Sequence, residues 1–343
     1  MGQKIIALDA MGGDHGPSVT VTAAKLALDE IDSLELVLVG DENQLAVELE
    51  KLGLTKDKRI SIHHASEVVD MDELPVVALK KKKDSSMRVA INLVKEGSVQ
   101  ACVSAGNTGA LMATSKFVLK TVHGISRPAI CTILPGINGH THMLDLGANL
   151  ECTPQNLAEF ALMGSVLAQS VEGIENPTIG LLNIGSEEVK GSDSIKQASQ
   201  LIAESRLNYY GFVEGDDIYK GTVNVIVTDG FVGNVSLKTG EGLAALVNHV
   251  LRSEFKRNWL TKLAAIITMP VLSSVRRRLD PGRYNGASLL GLNGIVVKSH
   301  GSANTHSFLN AIRIAGIEIE NNVPQRISNA IEVYFSQTEE AVT

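Results

Sequence analysis

The chain has 343 residues, of which 44% are hydrophobic, 20% charged and only 4% aromatic; 38 acidic against 31 basic residues give a formal net charge of −7. That balance argues against nucleic acid as a partner, because neutralising phosphates needs a basic surface. Three scattered cysteines, Cys102, Cys131 and Cys152, with no CxxC, support neither a disulfide framework nor a zinc knuckle.

Short runs rich in Val, Ile and Leu predict strands over 4–9, 34–41, 59–64, 99–104, 129–134, 142–146, 178–184, 222–229 and 294–299. Helix-period stretches follow most of them, at about 18–30, 43–52, 85–97, 108–120, 154–171, 192–205, 232–253, 303–315 and 322–337. Strands alternating with helices imply βαβ units, a mainly parallel sheet and helices on both faces, hence an α/β fold of three layers. No linker divides the chain, so residues 1–343 read as one α/β unit carrying a helical insertion at about 252–281. The start, Met-Gly-Gln-Lys-Ile-Ile-Ala-Leu-Asp, turns polar too soon for a signal-peptide core, which predicts a cytoplasmic protein.

Chemistry-bearing residues concentrate in the turns after strands. Asp9-Ala10-Met11-Gly12-Gly13-Asp14-His15-Gly16-Pro17 follows the first, and Ala105-Gly106-Asn107-Thr108-Gly109 follows the 99–104 strand. Gly185-Ser186-Glu187-Glu188, Asp229-Gly230-Phe231-Val232-Gly233-Asn234 and Ser299-His300-Gly301-Ser302-Ala303-Asn304 end three later ones. In a parallel sheet such turns gather at the carboxyl edge, where glycine lets backbone approach a ligand and helix-start amides favour anions. One such turn is explained by tight geometry and helix capping alone. Five together point to a phosphate-bearing or otherwise anionic substrate.

Absent motifs narrow the chemistry. There is no G-x-x-x-x-G-K-[ST], no G-x-S-x-G, and no G-x-G-x-x-G after a strand, which disfavours P-loop hydrolysis, a serine nucleophile and a dinucleotide cofactor. His140-Thr141-His142 offers two imidazoles, but alternate residues of a strand account for them, so no metal is assigned and no cofactor is expected. The run Lys80-Lys81-Lys82-Lys83, with Arg88, is a concentrated positive patch on an acidic chain and suits an acidic ligand.

Taken together, these strings resemble the bacterial phosphate acyltransferases, the acyl-ACP:phosphate transacylase (PlsX) family. The matching stretches are 7–17, 82–87, 102–111, 145–149, 183–191 (which includes Lys190), 228–234 and 300–303, within a likeness that spans 4 to about 335. The resemblance implies transfer of a fatty acyl group from acyl carrier protein to inorganic phosphate. The acyl phosphate formed would feed phospholipid synthesis through a membrane glycerol-phosphate acyltransferase. It also implies a homodimer with a fold like the isocitrate/isopropylmalate dehydrogenases. A phosphate acetyl- or butyryltransferase using acyl-CoA is the rival reading, and an oxidoreductase or a membrane-associated scaffold are more distant ones.

For that reaction phosphate is its own nucleophile, so positioning and oxyanion stabilisation carry much of the work. Phosphate or substrate binding is expected from Gly12, Gly13, Gly106, Thr108, His300, Ser302 and Lys190. Asp229 or Asp14 would orient the nucleophile or take a proton, with His15 as the competing acid/base; Asn107 and Asn234 are the oxyanion candidates. Lys80–Lys83 and Arg88 would dock the acidic carrier protein.

One segment departs from the acidic average. Residues 252–278 hold seven basic side chains and one acid, Glu254, which leaves −13 on the remainder. Between Lys262 and Arg276 lie 13 uncharged residues. As a helix they would span about 20 Å, too short for a bilayer core, and Pro270 would break them in two. Trp259, Leu263, Ile266 and Ile267 fall on one face beside the cations, which suits a hairpin lying on anionic lipid; helices paired at a dimer interface would give the same pattern.

Overall fold

The computed structural model describes residues 2–278 and 281–340. Eleven strands form one sheet. In chain order they are β1 (Lys4–Asp9), β2 (Leu34–Gly40), β3 (Ile60–His64), β4 (Ala101–Ser104), β5 (Ala129–Gly136), β6 (Gly139–Leu144), β7 (Thr178–Leu182), β8 (Asn208–Val213), β9 (Val225–Val227), β10 (Ala287–Leu290) and β11 (Ile295–Lys298). The helices are α1 (Pro17–Glu30), α2 (Glu42–Lys51), α3 (Pro75–Lys81), α4 (Ser86–Lys95), α5 (Thr108–Leu119), α6 (Pro154–Glu172), α7 (Asp193–Ala203), α8 (Asp217–Lys220), α9 (Gly230–Lys256), α10 (Trp259–Arg278), α11 (Thr305–Glu320) and α12 (Val323–Glu340).

The architecture is a three-layer α/β fold. Alternate residues of each strand divide between two cores: Ile6 and Leu8 of β1 pack with α1 and α11, and Ala7 packs with α4 and α5. Val225 and Val227 of β9 pack with α6, α7 and α12, on the same side as α1 and α11. Both faces of a strand are therefore apolar, which is why the strands read as continuous hydrophobic runs. Helices start where their caps allow. Ser85, Asn107, Thr153, Asp229 and Asn304 each accept an amide of the first turn through the side chain.

The sheet order is β3-β2-β1-β4-β11-β10-β5-β6-β9-β7-β8. From β3 to β11 all neighbours are parallel. The β11–β10, β10–β5 and β5–β6 pairs are antiparallel, and β6, β9, β7 and β8 are again parallel. Three reversals leave the two outer blocks running in opposite directions. Turns after β1, β4 and β11 therefore open at one edge of the sheet, and turns after β7 and β9 at the other. The expectation that all five turns share one edge is corrected here: the two reversals on either side of β10 cancel, and the antiparallel hairpin β5–β6 inverts the second half.

The helical projection also differs in its limits. α9 runs unbroken from Gly230 through 27 residues, and Asn258 starts α10 by exchanging hydrogen bonds with Thr261 in both directions, at 2.9 and 3.1 Å. α10 continues through Pro270 rather than breaking there. Proline removes one amide, but around Pro270 the helix is exposed, so water can serve the carbonyl it leaves unpaired. No helix among the described residues is long and apolar enough to cross a membrane.

Candidate active site

At the first edge, parallel pairing sets Asp9, Ser104 and Lys298 side by side in one row. Asp9 is 1% exposed. Its two carboxylate oxygens each accept a hydroxyl at 2.6 Å, one from Ser86 at the start of α4 and one from Ser104. Burial raises the Asp9 pKa, against the two hydroxyls and the Met11 and Gly12 amides, which lower it. Ser104 Oγ in turn accepts the Gly106 amide at 3.0 Å, so the carboxylate fixes the β4–α5 turn through one hydroxyl.

The glycines here are required by close approach. A Cβ on Gly12 would stand 2.6 Å from Asp9 Oδ2 and 2.8 Å from the Gly106 nitrogen. Gly13 has φ +85°, and its Cβ would meet Ala105 Cβ at 2.8 Å and the Gly301 carbonyl at 2.9 Å. That same carbonyl accepts the Asp14 amide at 2.9 Å. Turns from three strands interlock, and only bare backbone fits between them.

Lys298 completes the row. It is 7% exposed, and its ammonium donates to the carbonyls of Ala105, at 3.3 Å, and Ser299. Burial draws its pKa down to about 8, with Asp9 and Asp14 acting the other way and Lys238 adding to the fall. His300 is exposed; its Nδ1 lies 2.9 Å from Ser302 Oγ and accepts the Ser302 amide at 3.2 Å. An accepting Nδ1 assigns the proton to Nε2, which leaves that N–H as the ring's donor toward a ligand. Burial and the Lys238 charge lower the His300 pKa and favour this neutral form. Thr108 is exposed at the first position of α5, where helix amides lack intrahelical partners.

Asn107 is placed here too, but its side chain is spent. Oδ1 accepts the Ala110 amide at 2.9 Å, and Nδ2 donates to the carbonyls of Met71 at 2.8 Å and Glu73 at 3.0 Å. It clamps the 70–73 loop over α5 and has no donor to spare for an oxyanion in this arrangement. Asp14 and His15 are exposed, and His15 lines a depression with Ser18, Asn43 and Gln44 on the α2 side.

Asp229, Asn234 and Lys190 lie at the second edge. Asp229 caps α9 by accepting the Val232 amide at 2.8 Å, and Asn234 is exposed against Gly147. Behind them Asp145 is fully buried, accepting the amides of Ile130 at 2.8 Å and Asn149 at 2.6 Å and the Asn149 side chain at 3.0 Å. Cys152 is half-buried nearby; burial and the Asp145 and Asp229 charges push its thiol up to about 12, so it is no thiolate nucleophile near neutrality. Lys190 is exposed in the loop after β7, its carbonyl held by Asn183 at 3.2 Å. α9 starts at the second edge and brings Lys238 within electrostatic reach of His300 and Lys298 at the first.

Sequence reasoning missed Ser86, Ser104 and Lys298 as site residues and noted Asp9 only as part of a turn. The available signal was the polar residue that closes each of three apolar strands.

Of the basic run, Lys80, Lys81 and Lys83 are exposed, but Lys82 is held by Glu73 at 3.2 Å and by the Val68 carbonyl at 2.6 Å. Arg88 stacks 5.2 Å over the Phe117 ring. On the hairpin, Trp259, Leu263, Ile266 and Ile267 are 50–72% exposed, and Leu243, Leu246 and Val250 of α9 are exposed as well.

Residues 4–326 match the family described as "Fatty acid synthesis protein". A phosphate acyltransferase of Methylococcus capsulatus is 56% identical over 331 residues, covering 96% of this chain and 98% of the relative. One from Legionella pneumophila is 55% identical over 333 residues, covering 97% of each. Among solved structures, a phosphotransacetylase from Streptococcus pyogenes superposes with a TM-score of 0.63 at 19% identity, over 93% of this chain and 94% of that one. A 4-hydroxythreonine-4-phosphate dehydrogenase from Klebsiella pneumoniae gives 0.51 at 14% identity, over 94% and 99%. At those identities the structural likenesses speak for the fold.

Proposed function

The chain belongs to the fatty-acid-synthesis family of phosphate acyltransferases, and from that premise we propose that it transfers a fatty acyl group from acyl carrier protein to inorganic phosphate at the edge formed by β1, β4 and β11. The observation that carries the placement is the row Asp9–Ser104–Lys298 beneath interlocked glycine turns, a small cradle with one buried lysine next to the first amides of α5. A phosphate oxygen attacks the thioester carbonyl; the C–S bond breaks, the carrier thiolate leaves and takes a proton, and a mixed anhydride remains. Lys298, the first amides of α5 and the His300 Nε2–H hold the anion and the oxyanion. Asp9 keeps its hydroxyls and the Gly106 turn in position and touches no substrate. Asp14, exposed at the rim, remains the carboxylate for orienting the nucleophile.

Carrier protein is acidic, and the exposed Lys80, Lys81 and Lys83 are the docking charges in this reading. The product goes to a membrane glycerol-phosphate acyltransferase. That accords with a cytoplasmic homodimer touching anionic lipid through the exposed apolar face of α9 and α10. The deciding assay is phosphate-dependent release of thiol from acyl-ACP compared with acyl-CoA. Release from acyl-ACP is expected at the higher kcat/KM; a preference for acyl-CoA transfers the proposal to the phosphate acetyl- or butyryltransferase reaction. Leu263→Glu is expected to abolish co-sedimentation with anionic vesicles, and unchanged sedimentation refutes the lipid contact.

A further inference from the structure

On the α6 side of the sheet, His140 and His142 stand on one face of β6, two residues apart, and Glu172, the last residue of α6, closes over them. Both imidazole Nε2 atoms converge on the same carboxylate oxygen, Glu172 Oε1, that of His140 at 2.5 Å. The two rings meet edge to face with centroids 5.8 Å apart. His142 is 1% exposed, and its Nδ1 is buried with no hydrogen-bond partner among the described residues. Beside the three groups lies a cavity of about 180 Å³, lined mostly by apolar side chains with Glu318 and Ser288 at its wall.

We propose that His140, His142 and Glu172 form a binding site for a divalent transition cation of the zinc type, tying the end of α6 to the β5–β6 hairpin. Two imidazole nitrogens and one carboxylate oxygen are a zinc donor set, whereas calcium and magnesium prefer oxygen alone. As a purely hydrogen-bonded cluster the arrangement is poor. Each ring must give its Nε2–H to one shared oxygen, and nothing answers the buried Nδ1 of His142. With a cation, both Nε2 lone pairs face it and the proton of His142 moves to Nδ1. Water can supply the fourth ligand. His140, with its side chain 35% exposed, leaves a way in from solvent. The histidine pair is plain in the sequence, but the third ligand is 30 residues further on, and only the packing of α6 on the sheet brings it in.

The site is tested on the whole protein, stripped with a chelator, dialysed into phosphate-free buffer and titrated calorimetrically with zinc chloride. One equivalent per chain is expected to bind at micromolar affinity or tighter. Cobalt(II) in its place is expected to give the strong visible d–d bands of a four-coordinate ion. His140→Ala, at a partly exposed position, and Glu172→Gln are each expected to weaken zinc binding at least tenfold and to abolish the cobalt bands. Absence of stoichiometric binding in the wild-type protein overturns the proposal; so does affinity that both substitutions leave unchanged.

Discussion

The two edges of the sheet are each built around a buried aspartate at the end of a strand, Asp9 after β1 and Asp145 after β6, and both carboxyls are raised by burial. Their partners differ. Asp145 is held by backbone amides and the Asn149 side chain, groups fixed by the fold itself. Asp9 is held largely by two serine hydroxyls, which rotate, and it lies beside a lysine whose proton affinity is depressed. A carboxylate on fixed amides is a staple, whereas one on hydroxyls next to a soft ammonium belongs to a site that must accept and release an anion. In the proposed reading the first edge is therefore the place for chemistry, and the second anchors α9.

Gly233→Ala should separate the two most forcefully. Its Cβ would fall 1.9 Å from the Asp145 carbonyl oxygen, a backbone atom with nowhere to move. We expect a loss of about 3 kcal/mol or more in urea unfolding, as for a severe overpacking, because α9 can no longer seat on the staple. Stability within 1 kcal/mol of wild type would dissolve the distinction. Asp9→Asn, by contrast, should leave unfolding nearly unchanged and lower kcat/KM at least about tenfold, or about 1.4 kcal/mol of transition-state stabilisation. Equal losses of activity and stability would make Asp9 a second staple.

Lys298 gives the first edge a pH signature. Its folded pKa of about 8 lies below the ordinary lysine value of 10.5. Between these values the unfolded chain holds a proton that the native one has released, so native stability rises with pH across that window. The gain from this group is about 3 kcal/mol, and it is absent below pH 8. Binding runs the other way: the cation is lost above pH 8, so the KM for phosphate should climb there. Lys298→Met should flatten both trends. A phosphate KM that stays level from pH 7 to 9.5 in the wild type would remove the lysine from the cradle.

Much of this was legible beforehand. The glycine turns, the capping residues and the three-layer layout follow from local pattern, since each depends on a few neighbouring residues. Direction was not legible. β10 is four residues long, and its antiparallel pairing with β5 and β11 is decided by partners about 150 residues apart or just beyond a tight turn. The two reversals around β10 cancel, and it is the β5–β6 hairpin that turns the second block over and moves Asp229 and Asn234 away from Asn107. Nor was the use of a side chain legible: Asn107 has the right chemistry for an oxyanion, yet it is committed to carbonyls 34 and 36 residues away. The hydroxyls on Asp9 come from 77 and 95 residues away, and no spacing rule reaches so far.

The smallest predicted effect concerns the approach to the first edge. The four consecutive lysines are not equivalent, since Lys82 is tied to Glu73 and Val68 while Lys80, Lys81 and Lys83 stand free in solvent. Exposed charges steer a charged partner chiefly through the rate of encounter and are screened by salt. Reversing the three exposed lysines to glutamate should raise the KM for acyl-ACP several-fold at low ionic strength, with kcat unchanged and the difference fading in about 0.5 M salt. Lys82→Glu should act differently. It places a like charge against Glu73, loosens the 70–73 loop that Asn107 holds, and lowers kcat at every salt concentration. If all four reversals behave alike, the carrier protein docks elsewhere and the run is an ordinary solvated face.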